Sequence, residues 1–173
     1  MERLEVLVVP ANLWLIWRAM SSSATSPSAP GSVYEIEEGS KLLPRFDMHD
    51  ALPCITMDAD SGEVLMLGYM NREALDLTIK TRKATYWSRS RKKLWVKGEQ
   101  SGLTQHVQEI MIDDDQDCVL LKVKVTGGAS CHVGYRSCFY RRIKDGSKDD
   151  LDFTIKEKVF DPVQVYGPGA ATH

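Results

Sequence analysis

The segment Cys54–Met70, CITMDADSGEVLMLGYM, decides the fold together with the stretch NREALDLTIKTRK that follows it. Two β-prone runs flank the turn formers DSG, which predicts a β-hairpin. Asn71 then predicts the start of a helix, because its short polar side chain can accept a hydrogen bond from the first helical turn. One face of this helix is expected to be buried, and its positions recur at helical spacing: Ala74, Leu75, Thr78 and Ile79.

Further strands are predicted along most of the remaining chain. Four segments are rich in β-branched and aromatic residues and are bounded by Gly, Lys/Arg or Asp clusters: ATYWSRS, KLWVKG, HVQEIMI and CVLLKVKV. The C-terminal stretch KVFDPVQVYGPGAATH is predicted to add one short strand before it frays. Strands outnumber helices, so we predict a mainly β domain of the α+β class. Its curved mixed or antiparallel sheet would form a pseudobarrel with one main helix.

Length and composition indicate one globular domain. The chain has 173 residues, of which 43% are hydrophobic and 27% charged, which is enough for one buried core. A net charge of -2 gives no reason to expect a nucleic-acid partner. Four cysteines are too few for a disulfide scaffold of this size, and with Asp and His beside them they favour metal ligation in a reducing compartment. We therefore predict a cytoplasmic protein.

The first 32 residues differ from the rest of the chain. Their apolar run VLVVPANLWLIW is too short to cross a membrane as a helix, and the acidic residues Glu2 and Glu5 before it are unlike the basic start of a signal peptide. The segment SSSATSPSAPGS that follows buries too little surface to order itself. We predict a disordered tail over 1–32, a domain over 33–166 and a frayed C-terminus over 167–173, with no membrane partner.

The stretch IDDDQDC, which ends at Cys118, concentrates carboxylates between two predicted strands. If it is extended, Asp113, Asp115 and Asp117 share one face, while Asp114 and Cys118 share the other. The three carboxylates would repel one another unless a hard divalent ion such as Mg²⁺ bound them. An EF-hand is excluded, because Cys118 stands where that loop needs Gly. A solvated turn is the alternative.

A second cluster, SCHVGYRSC, offers softer ligands. Cys131 and Cys138 are candidate zinc ligands with Cys118 as a third thiol, since three ligands and one open position are typical of a catalytic zinc site. His132, between them, could ligate, carry a proton or orient a neighbour. A buried structural role is the alternative for each cysteine.

In order and spacing, MDADSGEVLMLGYMNREAL, YWSRSRKKLWVKGEQSG, DDDQD and CHVGYRSCFYR resemble phosphoribosyl-AMP cyclohydrolase of histidine biosynthesis. The resemblance implies a Zn²⁺- and Mg²⁺-dependent homodimer whose active sites are shared between subunits. Zinc-activated water would attack C6 of the N1-phosphoribosylated adenine, and the N1–C6 bond would open to give the carboxamide ribotide. We expect His132 to be the catalytic proton-transfer or orienting group. The residues after Arg142 are too few for the pyrophosphohydrolase domain that many organisms fuse there, so we expect a monofunctional chain.

Asp114 departs from the family pattern. Family members usually have Cys at this position, and that Cys supplies a zinc ligand across the dimer. Either Asp114 binds zinc through oxygen, or Cys118 does so from a bent segment. Two thiolates favour a third soft ligand, so Cys118 is slightly preferred. A weakened site, or a protein that has lost the activity, is the third alternative.

Recognition of the nucleotide substrate is expected from basic, polar and aromatic residues. The candidates for binding its two phosphates are Arg89, Arg91, Lys97 and Arg136. The residues that resemble the family's polar active-site segment, and are carried over as substrate-binding, are Glu99, Ser101 and Gln105. For the aromatic residues Tyr86, Trp87 and Trp95, core packing is preferred over base stacking.

Two other functions remain open. A metal-dependent phosphate-ester or diphosphate hydrolase would use the carboxylates and Mg²⁺ and leave the thiols structural. A zinc-stabilised, non-enzymatic module would explain the cysteines and would unfold without metal, but it leaves the acidic row without a purpose.

Overall fold

The computed structural model describes residues 32–168, so the predicted N-terminal tail, except for Ser32, and residues 169–173 of the predicted frayed C-terminus lie outside the described residues. In chain order the elements are α1 (Val33–Glu37), β1 (Leu52–Asp58), β2 (Val64–Met70), α2 (Arg72–Thr81), β3 (Thr85–Ser88), β4 (Lys93–Val96), β5 (Gln105–Ile112), β6 (Val119–Val125), β7 (Arg141–Ile143), β8 (Leu151–Phe153) and α3 (Pro162–Tyr166). A 3₁₀ turn, Thr126–Gly128, follows β6. Within the described range, no helix is long and apolar enough to cross a membrane.

A four-stranded mixed sheet forms the framework, with the strand order β2-β1-β6-β5. Strand β1 is antiparallel to β2 and parallel to β6, and β5 is antiparallel to β6. Two hairpins, β3–β4 and β7–β8, lie outside this sheet. The predicted mainly β, α+β class with a mixed sheet is therefore confirmed. Between residues 32 and 168 the strands do not close into a barrel.

The deciding segment Cys54–Met70 forms the predicted hairpin, because β1 and β2 pair directly across the turn. Helix α2 begins where the sequence predicts, with the Asn71 side chain accepting a hydrogen bond from the Ala74 amide at 2.9 Å. Three of the four predicted positions on its face, Ala74, Leu75 and Thr78, are buried, whereas Ile79 is 42% exposed. Its inclusion in the buried face was wrong, because only a narrow stripe of this short helix contacts β2 and β3.

Tyr86 on β3 lies at the centre of the core and is fully buried. Its ring stacks on Trp95 of β4 at a centroid distance of 4.9 Å. Gly68 permits this packing, because a Cβ at that position would come within 2.6 Å of a Tyr86 ring carbon. The large side chains buried with it are Leu52, Leu65, Met70, Leu75 and Leu121. The preference for core packing is confirmed for Tyr86.

The C-terminal part differs from the prediction in two ways. The expected short strand is instead the helix α3, which Asp161 caps by accepting a hydrogen bond from the Val163 amide at 3.0 Å. Pro162 occupies the start of this helix, where its missing N–H has no intrahelical partner to lose. The apolar residues around it had the composition of a strand, but Asp-Pro is a start signal for a helix. The hairpin β7–β8 was not predicted, because its strands are only three residues long.

Gln116 attaches the segment around α1 to the turn between β5 and β6. Its side-chain carbonyl accepts from the Leu43 amide at 2.6 Å, and its amide group donates to the carbonyls of Ile36 at 2.9 Å and Lys41 at 3.1 Å. The Gln116 main-chain carbonyl also accepts from the Arg45 amide at 2.9 Å. The side chain is 4% exposed, so these are buried bonds that fix both segments.

We expect Gln116→Ala to lower the free energy of unfolding by about 1–3 kcal/mol, because it leaves one amide and two carbonyls without their buried partner. Denaturant unfolding measures this change. Gln108→Ala is the matched control, because Gln108 is exposed and its side chain bonds only the nearby carbonyl of His106. Equal stability of the two variants would show that the Gln116 bonds contribute nothing measurable.

Candidate functional site

The acidic residues Asp113 to Asp117 form a turn between β5 and β6, not the extended strand that the prediction assumed. Gln116 adopts a left-handed conformation there, with φ of 59°. One carboxylate oxygen of Asp113 accepts from the amides of Asp117 at 3.0 Å and Cys118 at 2.9 Å, which closes the turn. The strand-parity argument for grouping the three acids was therefore wrong in its premise, although the turn brings the same acids together.

The carboxylates of Asp113, Asp115 and Asp117 have oxygen atoms within 4.8 Å of one another. Burial, followed by the charges of Asp115 and Asp113, raises the pKa of Asp117. This donor set of clustered carboxylate oxygens fits a hard divalent cation such as Mg²⁺. Asp114 stands apart from the three: it is exposed, and no other described residue hydrogen-bonds its carboxylate.

Cys131 and Cys138 come together in the loop after the 3₁₀ turn. The Cys131 amide donates to the Tyr135 carbonyl at 3.1 Å, and the Cys138 amide donates to the Leu65 carbonyl on β2 at 2.7 Å. A hydrogen bond with Cys138 lowers the pKa of Cys131 to about 6, with smaller contributions from the Val133 amide, His132 and Lys97. The same bond raises the pKa of Cys138. Two adjacent thiols, one of them with a lowered pKa, fit a soft-ligand ion such as Zn²⁺, which binds the thiolate form.

Lys97 lies beside the two thiols, although it follows the separate hairpin β3–β4. It is 6% exposed, and this burial lowers its pKa, while the cysteines act in the opposite direction. Among the described residues, no carboxylate lies within ion-pair distance of its amine.

Gln105 is fully buried and connects the core to the loop that carries Cys131 and Cys138, which we call the thiol loop. Its carbonyl oxygen accepts from the Tyr86 hydroxyl at 2.8 Å, and its amide donates to the Ser130 hydroxyl at 3.1 Å. Tyr86 also shares a hydrogen bond of 2.7 Å with Thr56 on β1. The prediction placed Gln105 on the substrate, but the structure places its side chain in this internal chain, where it positions the residue before Cys131.

Cys118 is not brought to the thiol pair within one chain. It precedes β6, where the next residue, Val119, pairs with Cys54 near the start of β1. Cys138 lies instead beside Leu65 on β2, level with the far end of β1. At about 3.3 Å per residue and 4.8 Å per strand, Cys118 and Leu65 are roughly 15 Å apart. Within residues 32–168, the group of three or more close ligand atoms is the acidic one, and it includes no thiol.

The other predicted site residues are dispersed. Arg136 donates to Glu63 at 2.6 Å and to Asp58 at 3.1 Å, so two carboxylates already balance its charge. Arg91 is exposed and bonds the hydroxyl of Ser88 at 3.2 Å. Three predicted site residues are wholly or partly open to solvent. Glu99 and Ser101 lie in the turn after β4, and His132 lies in the thiol loop.

An open pocket of about 500 Å³ lies between the end of β2 and the hairpin β3–β4. It is lined by Gly68, Tyr69, Trp87, Arg89, Ser90 and Trp95. The Arg89 guanidinium lies 3.6 Å from the centre of the Tyr69 ring. We call this the aromatic pocket.

Sequence reasoning missed Tyr69 and Gln116. Tyr69 was counted only as part of a strand, but alternation along β2 places Met66, Gly68 and Met70 inward and therefore Tyr69 outward. An outward aromatic residue beside a basic turn was a signal that could have been found. Gln116 gave no local signal, because its partners lie more than 70 positions earlier in the chain.

Several named proteins are similar in sequence to this chain. The family model described as phosphoribosyl-AMP cyclohydrolase matches residues 66–140. A phosphoribosyl-AMP cyclohydrolase of Rhodopseudomonas palustris is 52% identical over 150 residues, which cover 86% of this chain and 99% of the relative. That of Chloroherpeton thalassium is 55% identical over 124 residues, covering 71% of this chain and 86% of the relative. That of Chlorobium limicola is 49% identical over 134 residues, covering 77% and 94% respectively.

Proposed function

This chain belongs to the phosphoribosyl-AMP cyclohydrolase family and is a hydrolase of histidine biosynthesis, and we propose that it performs the family reaction with zinc at the thiol pair and magnesium at the acidic turn. The observation that carries the metal assignment is the separation of two donor sets. The thiols of Cys131 and Cys138 suit a soft-ligand ion, whereas the carboxylate oxygens of the acidic turn suit a hard one.

The reaction requires water to attack C6 of the adenine ring and the C6–N1 bond to break. The water oxygen becomes the carboxamide oxygen, the exocyclic amine stays on C6, and a proton from water ends on N1. Zinc held by Cys131 and Cys138 would supply water acidic enough to attack near neutral pH. In this proposal His132, which is exposed next to Cys131, carries the proton to N1, and Lys97 is a buried cation beside the same loop.

The third zinc ligand comes, in this proposal, from a second copy of the chain. The roughly 15 Å between Cys118 and Leu65 excludes a set of three thiols within one protomer without rearrangement. Asp114 is the better candidate, because its carboxylate is exposed at the tip of the turn. The Cys118 thiol is partly buried and lies 3.9 Å from the Val119 carbonyl beside it. We therefore propose Asp114, in place of the slightly preferred Cys118, as the ligand that a second copy contributes in a homodimer with shared sites.

A ring-opening assay on phosphoribosyl-AMP tests the function. We expect absorbance to change as the purine opens, with no release of phosphate or diphosphate and with a dependence on added Mg²⁺. A metal-dependent phosphate-ester or diphosphate hydrolase would release phosphate or diphosphate without opening the ring. A zinc-stabilised module would do neither, and would unfold when zinc was removed.

A further inference from the structure

Arg89 differs from Arg136 in what holds it. Its guanidinium lies against the Tyr69 ring at 3.6 Å, and no carboxylate of residues 32–168 pairs with it. Arg136, in contrast, is neutralised by Asp58 and Glu63. A guanidinium that lies over an aromatic ring keeps the N–H donors at its own edges free to bind an anion. Arg89 is therefore an oriented cation that lacks an anionic partner.

The walls of the aromatic pocket suit a nucleotide. Trp95 is covered on one side by Tyr86 and lines the pocket with Trp87 and Tyr69. Its volume of about 500 Å³ lies in the range of small-molecule sites. Flat aromatic walls bind a purine or a ribose face, while a single arginine at the rim selects for a phosphate.

The end of β4 links the aromatic pocket to the thiol pair. Lys97, which faces Cys131 and Cys138, follows Trp95 by two residues, a separation of roughly 7 Å along the chain. A purine whose C6 lies at the thiol pair could therefore extend a ribose phosphate into the pocket.

We infer that the aromatic pocket binds one ribose-phosphate arm of the purine nucleotide substrate, with Arg89 on the phosphate and Tyr69 as the residue that positions Arg89. This inference rests on the proposed function and adds to it the residues that recognise the phosphate. It assigns Tyr69 a role in binding, whereas its outward position on β2 would not by itself require an aromatic side chain.

AMP and adenosine, titrated against tryptophan fluorescence of the full chain, test the inference directly. We expect the unmodified protein to bind AMP at least about tenfold more tightly than adenosine, because a charge-assisted bond to Arg89 is lost with the phosphate. Tyr69→Leu should remove most of this preference and raise the KM for phosphoribosyl-AMP by a similar factor, with kcat nearly unchanged. Tyr69→Phe should keep both the preference for AMP and the KM of the unmodified protein, because it retains the ring that supports Arg89. Tyr34→Leu is the matched control, since Tyr34 is 68% exposed on α1 and does not line the pocket.

Several outcomes would overturn the inference. Equal affinity for AMP and adenosine in the unmodified protein, or no binding of AMP, would mean that Arg89 does not hold a phosphate. An unchanged AMP preference in Tyr69→Leu would remove Tyr69 from the site. A protein that distinguishes AMP from adenosine but does not open the ring of phosphoribosyl-AMP would support the pocket and contradict the proposed function, so the two failures are distinguishable.

Discussion

We expect that replacing Cys131 by alanine removes the zinc proposed at the thiol pair and lowers the turnover of phosphoribosyl-AMP by roughly a thousandfold or more. The pKa of Cys131 is lowered to about 6 beside Cys138, so its thiolate is available to a metal near neutral pH. Removal of one thiol leaves a single soft ligand from this chain, which is too few to hold the ion that activates water. Zinc content per chain and ring-opening rate, measured on the same sample, check the prediction.

Cys54→Ala is the matched control for this change. Cys54 is also a free, buried cysteine, but it lies on β1 within the hydrophobic core. We expect this variant to keep its zinc and its turnover, although core packing loses the volume of a sulfur atom. If Cys131→Ala kept full zinc and full activity, the thiol pair would not be the metal site.

Mixing two inactive variants restores activity if the zinc site is shared between two copies of the chain. We expect Cys131→Ala and Asp114→Ala to be inactive separately, because each lacks one ligand. After unfolding and refolding together in equal amounts, half of the dimers carry one copy of each variant. Each mixed dimer has one intact site out of two, so the mixture should regain about one quarter of the unmodified activity.

The alternative ligand is tested in the same way. Cys118→Ser should remain active alone if Asp114 is the ligand, because the Cys118 thiol then contacts no metal. If Cys118→Ser is inactive and restores activity with Cys131→Ala, then Cys118 and not Asp114 completes the site. If neither mixture regains activity while each variant alone is inactive, the sites are not shared between chains.

The elements that could be predicted are those with local signals. The hairpin over Cys54–Met70 followed from two β-prone runs around a turn, and α2 followed from the cap at Asn71. The strands β3 to β6 followed from composition. Each of these signals lies within a few residues of the element it produces, so a single sequence is sufficient to predict that element.

The wrong predictions arose where a stronger local signal was overlooked. For α3, the apolar composition around Val163 and Val165 was given more weight than Asp161 and Pro162, which cap and start a helix. For the acidic turn, alternation was assumed to continue beyond β5, but Asp113 closes a turn by accepting two amide bonds.

The remaining features depend on contacts between distant parts of the chain. Gln105 looked like a polar site residue, but its partners Tyr86 and Ser130 lie on other segments and bury it. Arg136 is predicted to bind a phosphate, and the ion pairs that it makes with Asp58 and Glu63 had no signal in the sequence. Polar side chains are drawn inward only by partners that the fold brings together, and no local pattern reveals them.

The most direct test of the account is to measure ring opening of phosphoribosyl-AMP by the purified full-length chain before and after its zinc is removed and restored. We expect turnover in proportion to zinc content, loss of turnover on chelation, and recovery when zinc and Mg²⁺ are returned. Turnover that persists in zinc-free protein would contradict the assignment of zinc to the thiol pair. Absence of turnover in folded, zinc-loaded protein would contradict the activity itself and indicate that Asp114 marks its loss.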